Sequence, residues 1–295
     1  MIKQTLMFTT PVSLSLKNEQ LIITRKDTEE TVSRPIEDIG FVVVANQLVK
    51  MSVPLLNALS DNNVSVIICD EKQMPKSMLM TLDGNTTLQE SYRYQMNASG
   101  PMKKRLWKQI VEAKIKNQST LLNKAEQIDD ILKPYYLNVK SGDTDNREGA
   151  AARIYWSCLF GKDFRRERDG VQPNAMLNYG YTILRAAVAR ALVGSGLYPA
   201  FGIFHRNRYN AFPLADDIME PYRPFVDEIV YHLYMDGAKE ELDKMAKGEL
   251  LKVLASDVRM GKITRPLEVA LSITTSSLLK VYKGDETKLI LPTMT

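Results

Sequence analysis

The spacing of apolar residues changes period once along this chain, and that change constrains its fold more than any other feature. Up to about residue 70 the pattern alternates with period two. Ser13-Leu14-Ser15-Leu16-Lys17 places apolar and polar side chains on opposite faces, and Leu21-Ile22-Ile23-Thr24 follows after Asn18-Glu19-Gln20. The pair reads as a hairpin with one buried face. Phe41-Val42-Val43-Val44 and Val64-Ser65-Val66-Ile67-Ile68-Cys69 are further strand-like runs. Between them Ser52 can cap a short helix carrying Val53, Leu56 and Leu59 on one side, closed by Asp61-Asn62-Asn63.

From Leu88 onward the spacing is helical. Ser99-Gly100-Pro101 marks a break and a restart, proline being tolerated in a first helical turn. The next helix turns Leu106, Ile110, Ala113 and Leu121 inward and Lys103, Lys104, Arg105, Lys108, Lys114 and Lys116 outward. Asp145-Asn146 offers caps for a helix over 147–160. Asn174 to Leu197 forms another, stopped by Gly194, Gly196 and Pro199. Helices over 224–236, 239–255 and 264–280 complete the pattern. Residues 71–87, with Met78-Leu79-Met80, Leu82 and the turn Asp83-Gly84-Asn85, read as a linker whose apolar middle packs on something. The expectation is an α+β chain: a small N-terminal β-sandwich-like domain (1–72), a linker (73–90) and a larger all-α domain (91–295).

Composition enters as a set of exclusions. A chain of 295 residues that is 44% hydrophobic and 25% charged is globular rather than disordered or fibrous. No apolar run reaches the roughly 18 residues of a membrane span, and because no long apolar stretch or small-residue cleavage site follows Met1-Ile2-Lys3-Gln4-Thr5, a signal peptide is not expected. The cytoplasm is the expected location. Cys69 and Cys158 form no Cys-x-x-Cys, so a zinc knuckle or redox motif is not supported, and both are expected as buried small hydrophobes. A net charge of +4 permits nucleic-acid binding without requiring it, so the distribution of charge decides.

The chemistry concentrates between His205 and Pro224. One of only two histidines is followed by Asp216, Asp217 and Glu220, with Arg206, Arg208 and Arg223 close by. Carboxylates three apart on a helix share a face, so Asp217 and Glu220 can point together. An imidazole and carboxylates in a basic setting suit a hard divalent cation, Mg2+ or Mn2+, that handles phosphates; zinc would recruit more His or Cys. Glu148 is a further acid, set among small residues in Asn146-Arg147-Glu148-Gly149-Ala150-Ala151-Ala152-Arg153 that would let a ligand approach. A carboxylate there also favours the helix N-terminus without any catalytic role. His232 has no acidic cluster on its own face and reads as structural.

Gly180, inside Asn178-Tyr179-Gly180-Tyr181, implies close helix packing or a ligand approach. Lys103-Lys104-Arg105 and Phe164-Arg165-Arg166-Glu167-Arg168 are the main basic clusters and can grip backbone phosphates. No Gly-x-x-x-x-Gly-Lys-Ser/Thr loop is present. The residues by themselves reach metal-assisted phosphodiester chemistry.

Taken in order, these motifs resemble the integrase family of CRISPR adaptation, CRISPR-associated protein one. The likeness spans nearly the whole chain: the β-rich start, Asn146 to Arg153, Asn174-Ala175-Met176-Leu177-Asn178-Tyr179-Gly180-Tyr181, and His205 to Pro224. The ending Asp217-Ile218-Met219-Glu220-Pro221-Tyr222-Arg223-Pro224 looks most like the type II branch. The resemblance implies metal ligands and catalytic residues at Glu148, His205 and Glu220, the last an aspartate in many relatives. It gives Asp217 a supporting or alternate-ligand role and places Asn178 and Tyr179 in a supporting motif.

The implied activity is attack by the 3′-hydroxyl of a short DNA fragment on a phosphodiester at the edge of a CRISPR repeat. Implied partners are double-stranded DNA (prespacer and repeat), a second copy of the chain through the β domain, CRISPR-associated protein two, and in type II systems the RNA-guided nuclease and a ring-forming accessory protein. The DNA-gripping candidates are Arg206, Arg208, Arg223, Lys103, Lys104, Arg105, Arg165 and Arg166. A stand-alone metal-dependent DNA nuclease uses the same groups with water as nucleophile. A non-catalytic DNA-binding assembly protein would make the acids structural.

Overall fold

Alternation in the first unit produces two four-stranded sheets. The computed structural model describes residues 3–79, 81, 87–167, 170–238 and 240–295, and the chain divides into two units, Met1–Thr86 and Thr87–Thr295. In the first, β1 (Gln4–Phe8), β5 (Ile39–Val44), β7 (Ser65–Cys69) and β8 (Pro75–Leu79) lie in the order β1-β5-β7-β8, with only the β7–β8 pair antiparallel. The other sheet runs β4 (Thr31–Pro35), β3 (Gln20–Arg25), β2 (Val12–Lys17), β6 (Lys50–Met51).

The β2–β3 hairpin pairs Leu14 with Ile23 and Lys17 with Gln20. Asn18 and Glu19 both take positive φ, 51° and 57°, the handedness a two-residue hairpin loop needs. Val12 and Leu14 are buried while their neighbours are not, as the alternation requires. They meet Leu21, Ile39, Val42, Val66 and Leu55 in one core. Ser52 caps α1 (Val53–Asp61) by accepting from the Leu55 amide. The inward face is Leu55 and Leu59, however, and Val53 is 66% exposed, so of the expected Val53-Leu56-Leu59 stripe only Leu59 is fully buried. The segment 73–90 is not linker throughout, because Pro75–Leu79 completes a sheet and a helix begins at Leu88. Met80, Leu82 and the turn expected at 83–85 lie outside the described residues.

The second unit comprises α2 (Leu88–Met96), α3 (Gly100–Glu126), α4 (Lys133–Tyr136), α5 (Arg147–Phe160), α6 (Asn174–Gly194), α7 (Pro213–Met219), α8 (Arg223–Met235), α9 (Lys244–Leu251) and α10 (Leu267–Lys283). Helix α6 is buried on nearly every side and packs against α7, α8, α9 and α10. A Cβ on Gly180 would stand 2.4 Å from Val226 Cγ1 of α8, so this glycine serves helix packing rather than a ligand. The unit is not all-helical. Strands β9 (Asp257–Met260) and β10 (Ile263–Pro266) form an antiparallel hairpin turned at Gly261, φ 64°, between α9 and α10, and β10 takes residues 264–266 from the start of the helix expected over 264–280. Their alternation, with Val258 and Met260 buried, is a strand pattern that helical periodicity on either side masks.

Candidate active site

Three backbone devices bring the candidate residues into place. Helix α5 opens with Asn146 in a left-handed conformation, φ 51°, whose Oδ1 accepts from Gly149 N at 3.1 Å. Asp143 accepts from the next two amides, Arg147 N at 2.8 Å and Glu148 N at 3.1 Å. With its first-turn amides satisfied by side chains, the helix leaves the Glu148 carboxylate free to reach α3. There Glu148 Oε1 lies 2.6 Å from Lys114 Nζ.

His205 sits in the turn between α6 and α7, and Asp217 organises that turn. Asp217 is fully buried and its Oδ2 accepts from Ile203 N at 2.5 Å and Phe204 N at 3.0 Å. Its Oδ1 accepts from His205 N at 3.1 Å and meets His205 Nδ1 at 2.6 Å. A carboxylate accepts only, so Nδ1 carries a proton, and in the neutral imidazole Nε2 keeps its lone pair, as in a metal-ligating histidine. The bond to Asp217 raises the His205 pKa above its ordinary 6.5, against the opposing effect of burial. Both Asp217 oxygens are committed to this turn, which makes it the support of His205 rather than an alternate ligand. Gly202 makes the turn possible, since a Cβ there would lie 2.7 Å from the His205 carbonyl and 3.2 Å from Asp217 Oδ2.

Glu220 follows α7 in a 3-10 turn, Glu220–Tyr222, and is 3% exposed. Its Oε2 is 2.5 Å from Lys114 Nζ and its Oε1 is 3.0 Å from Arg223 Nε. Burial opposes its ionisation, yet Arg223 and Lys114 outweigh that and hold its pKa at about 2. His205 is within electrostatic reach of it. Burial likewise works against the Lys114 ammonium, but Glu220 and Glu148 more than compensate and its pKa is raised. Lys114 does not lie on the outer face of its helix, as its basic neighbours suggest; it is 8% exposed and stands at the centre of the site. Spacing along one helix could not place it, because its partners arrive from other helices.

The donor chemistry fits a hard divalent cation: two carboxylates already converge on a cationic position, and an imidazole that can offer Nε2 lies within electrostatic reach of Glu220. Among the described residues, however, no group of three His, Cys, Asp or Glu side chains closes on one point. What joins Glu148 to Glu220 is Lys114.

The basic candidates divide by exposure. Arg206 and Arg208 are exposed, and with Lys103 and His205 they line a cleft of about 580 Å³. Lys104, Arg105 and Arg165 are exposed or nearly so, Arg165 donating to the carbonyls of Lys162 and Phe164. Arg166 donates to Asn174 Oδ1 at 3.0 Å and Asn178 Oδ1 at 2.7 Å, which gives Asn178 a role in holding that loop. Arg223 lies 4.4 Å from the Tyr181 ring centroid. Tyr179 is a core residue. Arg168 lies outside the described residues. Asp216 is tied to Asn210 at 2.7 Å and faces Arg185. His232 lies with its ring against Tyr231. Cys69 is buried as expected, whereas Cys158 is only half-buried.

A second cavity of about 210 Å³ adjoins Glu220 and is lined by Lys114, Trp156, Arg166, Tyr181, Arg223 and Asp227. Asp227, which no sequence pattern singles out, accepts from Tyr155 Oη at 2.8 Å and Tyr181 Oη at 2.5 Å. Burial lifts its pKa to about 6, the tyrosines and nearby arginines only partly countering it. Among the described residues no helix is long and apolar enough to cross a membrane.

The family model for CRISPR associated protein Cas1 matches residues 6–263. The CRISPR-associated endonuclease Cas1 of Neisseria meningitidis serogroup C (strain 8013) is 41% identical over 246 residues, which cover 82% of this chain and 79% of that protein. A casposase bound to its integration product superposes with TM-score 0.78 at 21% identity, over 98% of this chain and 92% of that one. A chain of a Cas6-RT-Cas1–Cas2 complex gives TM-score 0.73 at 20% identity, over 98% of this chain and 36% of that one. At those identities the two structures speak for the fold.

Proposed function

The chain belongs to the CRISPR-associated Cas1 family, DNA endonucleases and integrases of CRISPR adaptation, and we propose that it acts through Mg2+ or Mn2+ held by Glu148, His205 and Glu220. The observation that carries this reading is the convergence of Glu148 and Glu220 on one cationic position, with His205, whose Nδ1 is held by Asp217, within electrostatic reach of Glu220.

The reaction joins the 3′-oxygen of a prespacer strand to the phosphorus at the edge of a repeat and releases the 3′-oxygen of the repeat strand. One phosphodiester replaces another, so no nucleotide triphosphate is consumed. When bound, the cation would polarise the scissile phosphate and stabilise charge on its oxygens. The protein's own part is geometric. Asp217 fixes the His205 tautomer, the α5 caps aim Glu148, and Arg223 holds Glu220 ionised. Lys103, Arg206 and Arg208 line the cleft at His205 and would grip the DNA backbone, giving binding that weakens steeply with salt. His205, as a neutral ligand, supplies no general base.

The homodimer through the β unit, the Cas2 partner, and the type II RNA-guided nuclease with its accessory ring protein belong to the same proposal. The reading of the Cas2 partner is supported by the Cas1–Cas2 complex among the structural neighbours.

The test is strand transfer of a short duplex into a supercoiled CRISPR plasmid, with the Cas2-type partner and Mn2+ present. Covalently joined products are expected, and Glu148→Ala, His205→Ala and Glu220→Ala should each abolish them while the dimer persists. Released fragments alone would make the protein a stand-alone nuclease. Retained transfer in two of the three variants would remove the proposed site.

A further inference from the structure

Lysine is almost never fully buried unless paired, and Lys114 is paired twice over. Its Nζ is 2.6 Å from Glu148 Oε1 and 2.5 Å from Glu220 Oε2, and Glu220 also faces Arg223. Two carboxylates and two cations make this cluster neutral as it stands. The same two carboxylates are the oxygen donors of the proposed metal site, so the role assigned to Lys114 rests on that reading of the site.

A Mg2+ or Mn2+ ion sits about 2.0–2.2 Å from its oxygens. An ammonium nitrogen within 2.6 Å of both carboxylates occupies that same place. The two cations exclude each other sterically. Electrostatics agrees, because adding two positive charges to a neutral buried cluster would leave them uncompensated. Of the two protein cations, Lys114 is the one built to leave. Its four-carbon stem is flexible and its head is a point charge, whereas the Arg223 guanidinium is planar and stacked over Tyr181. Room exists beside it: Lys114 itself lines the cavity of about 210 Å³, which offers the Asp227 carboxylate and the Trp156 and Tyr181 rings.

We propose that Lys114 is the resident counter-ion of the metal site. It holds Glu148 and Glu220 together in the metal-free protein and must withdraw from both when the divalent cation enters. Lys114 is thus a positioning residue that sets metal affinity by competing for the ligands.

The test is a Mn2+ titration followed by the electron paramagnetic resonance signal of the free ion, with melting temperatures measured with and without Mn2+. It compares the full-length wild type with Lys114→Met, Lys114→Arg and His205→Ala. If the ammonium fills the site in about nine-tenths of metal-free molecules, Lys114→Met tightens Mn2+ binding about tenfold. Its metal-free melting temperature falls, and the rise produced by Mn2+ grows. Lys114→Arg keeps the charge and forks onto both carboxylates, so it stays folded and binds Mn2+ more weakly than wild type. Should Lys114→Met fail to fold, Lys114→Arg decides. Mn2+ binding no tighter in Lys114→Met, or unweakened in Lys114→Arg, overturns the inference. If Mn2+ binding is lost in His205→Ala but indifferent to both Lys114 variants, the metal site stands and only this inference falls. If no form of the protein binds Mn2+, both fall together.

Discussion

Replacing Asp217 by asparagine changes one atom and one charge, and the structure says what that atom does. Oδ2 accepts from the amides of Ile203 and Phe204, while Oδ1 faces two donors on His205, its amide and its Nδ1. An asparagine that keeps its oxygen toward residues 203 and 204 must aim its amino group at the two His205 donors. The imidazole then gains by moving its proton to Nε2, the nitrogen the metal needs. Hydrogen bonds to a charged group contribute about 1.5–3 kcal/mol each, and a donor left facing donors costs about 1–3 kcal/mol. Loss of such a supporting carboxylate typically lowers metal affinity or activity about 10–100-fold.

With only two histidines in the chain, imidazole nitrogen NMR reads the tautomer directly, and His232 serves as the internal reference. The wild type should show His205 protonated at Nδ1, and the variant should lose that bias. The His205 pKa should fall from its raised value toward 6.5. Because the folded pKa is raised, the pair's contribution to stability is full below pH 6.5 and fades as pH rises through the folded pKa. Asp217→Asn should flatten that part of the profile. Unchanged strand transfer together with an unchanged His205 pKa would refute the role given to Asp217.

Two further expectations concern packing and burial. Gly180→Ala forces a methyl group to within 2.4 Å of Val226 Cγ1 and should destabilise the fold by about 1–3 kcal/mol, with Val226→Ala recovering most of the loss in urea denaturation. An additive double variant would count against this contact. Asp227 titrates at 3.8 when exposed and about 6 in the fold, so between those values the folded state holds the extra proton. The penalty for its burial is absent below pH 3.8 and complete above about pH 6. The wild type relative to Asp227→Asn should therefore lose about 3 kcal/mol of stability between pH 3.8 and about 7, and a flat difference would contradict the assigned burial.

The parts of this molecule that are legible in its sequence are those fixed by neighbours along the chain. The β2–β3 hairpin follows from alternation and a polar turn, and the Ser52 and Asn146 caps follow from residue type and place. Which face of α1 turns inward does not follow, because Val53 and Leu56 are spaced as well for a helix as Leu55 and Leu59. The β9–β10 hairpin carries a readable alternation around Gly261 that helical periodicity nearby obscures. Lys114 is beyond such reading: it stands in a helix rich in basic residues, and its first acidic partner comes 34 residues later on another helix. Asp227 likewise depends on tyrosines 72 and 46 residues away. Asp217 stands among the candidate acids, but only the backbone shows that both its oxygens serve the His205 turn.

The most direct test of the site is an anomalous difference map from a Mn2+-soaked crystal of the protein. The expected result is one peak bonded to a Glu148 oxygen, a Glu220 oxygen and His205 Nε2, with Lys114 Nζ withdrawn from both carboxylates. A peak elsewhere, or none at these three residues at saturating Mn2+, would contradict the assigned metal site.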